Sequence, residues 1–180
     1  MEDISLHILD IAENSIAAGA RNVGITVRED VGGDMLYIEI TDDGKGMSKE
    51  VAQQAADPFF TTRTTRRVGL GLALLREAAI MANGAMEIHS APGSGTTVTA
   101  TFQLRHIDRK PLGRMAETIL ALIATSVPVD ILYIHSRDGK KIVFDTKEVR
   151  KELDGVPLNS VAALSIIREH LTQEEAALTF

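Results

Sequence analysis

The sequence predicts an α+β protein: a two-layer α/β sandwich with helices on one face of an antiparallel sheet, followed by a small C-terminal αββαα appendage. Three observations predict it. Segments that alternate apolar and polar residues come in pairs joined by short turns, the pattern of antiparallel hairpins. Segments with a 3.6-residue apolar period precede and separate those pairs, and stacking them on one sheet face is the economical packing. The stretch "RHIDRKPLG", residues 105–113, is rich in charge and carries Pro and Gly, which marks a boundary. The expected units are therefore 1–105 and 111–180.

The elements follow in order. Residues 3–18 read as a helix, because Ile4, Ile8, Ile11 and Ser15 share one stripe with Leu9, Ala12 and Ile16 beside it. Gly19 is well placed as its C-cap. Val23, Ile25 and Val27 alternate in a first strand, and Leu36, Ile38 and Ile40 in a second. The turn "EDVGGD" between them makes a hairpin. After a glycine loop, Ser48 can cap a short helix near 48–55. Residues 57–69 read as irregular, and "GLGLALLREAAIMANG" as a strong helix ending at Gly84. "AMEIHSA" and "TTVTATFQL" are two more strands, joined by "PGSG". Beyond the boundary, 114–126 is an apolar-rich helix. "VDILYIHS" and "KKIVFDT" form a hairpin around Arg137, Asp138 and Gly139. "KEVRKEL" and "LNSVAALSIIREHLTQEEAAL" are helical, the latter capped by Asn159 or Ser160.

Composition narrows the function classes. The chain has 180 residues, 44% hydrophobic and 24% charged, an ordinary globular make-up for one domain or one domain with an appendage. It has no cysteine, which excludes disulfides, thiolate metal sites and a cysteine nucleophile. The net charge of -6 argues against a broad nucleic-acid footprint. The acidic start, "MEDISLHILD", is no signal peptide, and the longest apolar run, "AETILALIATSVPV", is too short and interrupted to span a bilayer. A cytoplasmic protein with neither nucleic acid nor membrane as partner is the expectation.

Four constellations carry candidate chemistry. Asp10 and Asn14 lie four apart on the first helix, so they share a face, and a carboxylate stacked on an amide oxygen could hold a hard cation and position a water. The same residues also read as the solvated face of an amphipathic helix, with His7 three before Asp10 orienting a neighbour or simply exposed. The stretch "YIEITDDGKGM" runs a strand into two acids and two glycines, which allow a close approach of backbone. "DPFFTTRTTRR" places a phenylalanine anchor before a hydroxyl-rich, basic flap, and guanidinium groups suit phosphate. "RRVGLGLALL" opens a helix with glycines, where unpaired N–H groups form an anion site; close helix packing is the plainer alternative. It is neither a Walker motif nor a dinucleotide fingerprint.

In this order, and followed by "GSGTTVTATF", the motifs resemble the GHKL ATPase superfamily: gyrase-type topoisomerases, heat-shock ATPase chaperones, MutL-type repair proteins and the ATP-binding domains of sensor histidine kinases. The resemblance covers residues 3–104 and implies a Bergerat-type ATP-binding fold with ATP and Mg2+ as cofactors. It implies that Asn14 coordinates Mg2+ at the phosphates and that Asp42 accepts from the adenine amino group. It further implies that Gly44 and Gly46 bring backbone close to the base, that Gly69 and Gly71 lie at the phosphates, and that Thr96 stands beside the adenine. Thr61, Thr62 and Arg63 of the flap, and Leu70 and Leu72 beside the glycines, complete the candidate nucleotide-binding set, with Arg63, Arg66 or Arg67 closing on the γ-phosphate.

Two branches of that superfamily are represented. "DPFFTTR" and the segment from Val68 to Phe102 look like the histidine-kinase catalytic domain, whereas "LDIAENSIAAGARNVGITV" looks like the MutL and gyrase side. There the residue four before the Asn is a glutamate acting as general base; here it is Asp10, a shorter carboxylate, the candidate catalytic residue. No histidine lies in a phospho-acceptor context, and no phospho-acceptor helix pair, sensor or transducer domain is read in the sequence. The expectation is a stand-alone kinase or ATPase module acting in trans on a protein partner or phospho-acceptor. The alternative is a nucleotide-gated binding module of the anti-sigma-factor type. The apolar helix 114–126 is expected to dock on the core or to form a homodimer.

Overall fold

The computed structural model describes residues 3–55, 70–125 and 127–179. Helix α1 (Ile4–Ala17) starts at Asp3, whose carboxylate accepts from the Leu6 amide at 3.1 Å, an N-cap. Its Ile4, Ile8, Ile11, Ala12 and Ser15 are buried, the stripe that the sequence predicts. The chain leaves α1 through Gly19, at φ +82, and enters the sheet.

The strands are β1 (Asn22–Asp30), β2 (Met35–Asp42), β3 (Met86–Ser90), β4 (Thr96–Gln103), β5 (Asp130–Arg137) and β6 (Lys140–Asp145). They form one six-stranded sheet in the order β3-β4-β2-β1-β5-β6. Every neighbouring pair is antiparallel except β1 and β5, which run parallel with Ile25 opposite Tyr133. Alternate residues of each strand point to one face: Val23, Ile25 and Val27; Leu36, Ile38 and Ile40; Val98, Ala100 and Phe102; Ile131 and Tyr133; Ile142 and Phe144. The helices α1, α3 (Leu70–Met81), α4 (Met115–Ile123) and α6 (Val161–Thr179) cover that face, with α1 between α3 and α4 and α6 beyond α4. The result is the mixed two-layer architecture expected. Two short helices, α2 (Lys49–Gln54) and α5 (Thr146–Glu152), are capped by Ser48 and Asp145.

The boundary expected at 105–113 falls between strands of one sheet and contributors to one core. Ile131 and Tyr133 share a cluster with Ile25 and Val27, and Met115 and Ile119 one with Ile4 and Ile8. The connecting segment is itself bonded to α1: the Ile4 amide donates to Pro111 O at 3.0 Å and the Ser5 amide to Leu112 O at 2.8 Å. These bonds satisfy two of the four otherwise unpaired N–H groups at the helix start.

Candidate functional site

The C-terminal half of α1, the end of β2 and the start of β4 meet at one end of the helix-covered face. Asp42, the last residue of β2, pairs with Thr96 on β4 and with Val23 on β1. Its carboxylate is held on both oxygens, by the Ser15 hydroxyl at 2.7 Å and the Gly44 amide at 2.9 Å. Ser15 has a second acceptor in reach, Ile11 O at 3.2 Å. A hydroxyl has one proton, and the shorter, charge-assisted bond to Asp42 takes it.

The glycine loop is tight for reasons the geometry gives. Gly46 has φ +64, and a Cβ there would run into the carbonyl of Ala91. The loop is tied to the β3–β4 turn: the Gly93 amide donates to Lys45 O at 2.8 Å, and the Met47 amide to Ser90 Oγ at 2.8 Å. Ser90 Oγ also lies 2.9 Å from Thr96 Oγ1 and 2.9 Å from Gly95 O. Thr96 and the loop are thus fixed to each other through one serine.

Along α1, Asn14 lies next to Ser15 and Asp10 one turn earlier, both half-buried. Gly71, in the first turn of α3, abuts Asp10 so closely that a Cβ would overlap its carboxylate. Leu72 is half-buried against the core, and Leu70 opens α3. The structure therefore brings Asp10 to Gly71, and Asp42 to Gly44 and Thr96, with Asn14 on the helix between them. Thr61, Thr62, Arg63, Arg66, Arg67 and Gly69 lie outside the described residues.

One residue, His7, differs from the expectation, and three, Asp43, Ser15 and Ser90, were not picked out as functional. His7 is neither exposed nor orienting a neighbour: it is fully buried, and among the described residues neither ring nitrogen has a hydrogen-bond partner. Burial, with the nearby Lys110 charge, pushes its pKa down to about 4. Asp43 is an exposed acid tied to the start of β1. It accepts from the Asn22 side chain at 2.7 Å, the Asn22 amide at 2.9 Å and the Arg21 amide at 2.7 Å, and these bonds, the Asn22 side chain's first, hold its carboxyl at about 2. Ser15 and Ser90 are the other two. Ser15 lies on the apolar stripe beside Asn14, a small polar residue on a buried face, which is the signal that could have found it. Ser90 follows Met86 and Ile88 at strand spacing, so it shares their face of β3.

Among the described residues, no group of three or more His, Asp or Glu is placed to hold a metal ion. No helix there is long and apolar enough to cross a membrane.

Several known proteins are similar to this chain. The chain is 39% identical over 112 residues to a non-motile and phage-resistance protein of Caulobacter vibrioides, covering 57% of this chain and 13% of that protein. It is 30% identical over 100 residues to a sensor-like histidine kinase of Mycolicibacterium smegmatis, covering 53% and 26% respectively. It spans only a fraction of the length of both. An anti-sigma F factor of a Thermoanaerobacter species is 33% identical over 102 residues, 55% of this chain and 67% of that protein. A crystal structure of the N-terminal domain of a DNA repair protein superposes with a TM-score of 0.53 at 16% identity, over 79% of this chain and 52% of the other, a likeness of fold. The family described as histidine kinase-, DNA gyrase B- and HSP90-like ATPase matches residues 2–106, more than half of the chain, and the chain belongs to that family.

Proposed function

We propose that the chain binds Mg-ATP at the end of β2 and the first turn of α3, and acts in trans as a kinase or ATPase on a partner protein. The observation that carries this reading is the seat of Gly71 against Asp10. It sets a carboxylate against the first turn of α3 at a residue without a Cβ, and the backbone N–H groups of a helix's first turn suit phosphate. Asp42 suits the other end of the ligand. Both of its oxygens already accept one hydrogen bond, so the carboxylate is fixed in plane, yet each retains lone-pair capacity for an amino donor. Gly44 and Gly46 let the loop close against Ala18 and Ala91, which holds the end of β2 that carries Asp42 in place.

The residues present fit the nucleotide. Asp42 and Thr96 would hold the base, Asn14 the Mg2+, and the start of α3 the phosphates. The bound cation supplies charge neutralisation at the phosphates. Asp10 would accept a proton from a water or an acceptor hydroxyl, a role worth about 10²–10⁴-fold in rate.

The anti-sigma factor supports a second reading, because this chain covers 67% of that protein's length. There, nucleotide would switch affinity for a partner rather than drive turnover.

Incubation with Mg2+ and γ-labelled ATP, following free phosphate and protein-bound label, tests the proposal. Turnover lost in Asp10→Asn, with ATP binding kept, supports catalysis. Binding without release or transfer, in the presence and absence of candidate partners, favours the nucleotide-gated module.

A further inference from the structure

At the far end of the sheet from Asp42, a hollow of about 430 Å³ opens between β1, β5, the start of α4 and the end of α6. That is within the range of small-molecule sites. Its polar wall is unusual for a place the nucleotide reading does not use. His135 is buried and bonds Glu29 at 2.9 Å through Nε2; through Nδ1 it lies 3.0 Å from the Tyr133 hydroxyl. Arg137 donates to the other oxygen of Glu29 at 3.0 Å, and Tyr133 lies 3.3 Å from Glu175.

Such a cluster is costly to bury for stability alone. It also leaves hydrogen-bonding capacity over. Arg137 spends only Nη1 on Glu29, and Arg109 spends Nε on Leu104 O and Nη1 on Lys110 O. Among the described residues, the remaining N–H groups of both guanidiniums donate to no protein atom. Both arginines line the hollow, as does the Glu175 carboxylate, and Leu36, Leu112 and Met115 supply an apolar wall.

We propose that this hollow is a second ligand site, for an apolar α-amino acid. The two guanidiniums would take the carboxylate, Glu175 the ammonium, and the leucine–methionine wall the side chain. Opposite charges on one small body match opposite charges on one wall, which a simple anion or cation does not. The site lies beneath Pro111 and Leu112, the residues that bond the first amides of α1. Occupancy therefore bears on the helix that carries Asp10 and Asn14. The site itself stands apart from the nucleotide reading; only its effect on nucleotide affinity rests on it.

Calorimetric titration of the full chain with L-leucine, without nucleotide, tests the site. Saturable binding is expected, with 4-methylpentanoate and 3-methylbutylamine, each lacking one charge, weaker by about tenfold or more. Ala176→Leu, which adds bulk on the α6 wall of the hollow, and Glu175→Gln, which keeps its shape, are both expected to lose L-leucine binding while the fold persists by circular dichroism. No saturable binding of L-leucine overturns the proposal. So does equal binding of 4-methylpentanoate, or unchanged binding in two folded variants. A repeat with ATP present reads the coupling: L-leucine binding with unchanged ATP affinity overturns the coupling alone.

Discussion

Ser15 donates its one hydroxyl proton to Asp42, and no other side chain in the described structure orients that carboxylate. Ser15→Ala is therefore expected to leave the helix intact, since Ala suits a helix interior, and to weaken ATP binding by about tenfold, the cost of one hydrogen bond to a charged group. Unchanged affinity by titration calorimetry would separate Ser15 from the site. His7 makes a prediction about stability. Its folded pKa of about 4 lies below the usual 6.5, so between those values the unfolded chain binds more protons. Stability should fall as pH drops from 6.5 towards 4, and His7→Leu should flatten that slope and raise stability by about 1–3 kcal/mol, as removal of an orphaned buried polar group does. Asp43 works on a different window. Its carboxyl is depressed from 3.8 to about 2, so its contribution is complete above 3.8 and is lost as pH falls towards 2. Asp43→Ala should remove pH dependence only there, in chemical denaturation series across the acid range. At this scale the sequence was partly legible. Asp10, Asn14 and Asp42 stand out by residue type and spacing. The burial of His7 did not, because a helical period of 3.6 leaves the edge of an apolar stripe ambiguous until the neighbouring helix is in place.

Elements were the most legible level. The periodicities place α1, α3 and the hairpins because each has one buried face, and a buried face writes itself into residue spacing. Their couplings were less so. Gly71 reads as an anion-site glycine or a packing glycine; the structure shows the packing contact, with Asp10, and leaves the anion role to the test of function. Two effects compete in Gly71→Ala. Alanine favours the helix by about 1 kcal/mol, whereas the added Cβ must push the Asp10 carboxylate aside. The expected outcome is an unchanged or raised melting temperature with turnover sharply reduced. A fall in stability with turnover retained would show that the contact serves packing only. Gly46→Ala should behave in the opposite way. With φ +64 and the backbone carbonyl of Ala91 in the path of a Cβ, it has nowhere to move, and the melting temperature should fall.

The whole molecule is where the sequence said least. A parallel pairing of β1 with β5 sets Asn22 opposite Asp130, far apart in sequence, and local patterning carries no information about which distant strand fills an edge. Composition at 105–113 suggests a linker, yet the same residues bond the start of α1, and α4 covers α1 from the far side. A single cooperative unfolding transition is expected, with residues of β1 and β5 losing amide protection together in hydrogen exchange. Two separated transitions would mean independent units. On the same grounds a fragment ending at residue 105 should melt well below the full chain, because it uncovers β1 and the α4-facing side of α1. The central claim, however, is that these parts assemble a nucleotide site around Asp42 and Asn14. Its most direct test is titration of the full chain with ATP in the presence of Mg2+, beside Asp42→Ala and Asn14→Ala. The account predicts one saturable site, lost in Asp42→Ala and losing its Mg2+ dependence in Asn14→Ala. Absence of ATP binding by the folded wild-type chain, or binding indifferent to both changes, would contradict it.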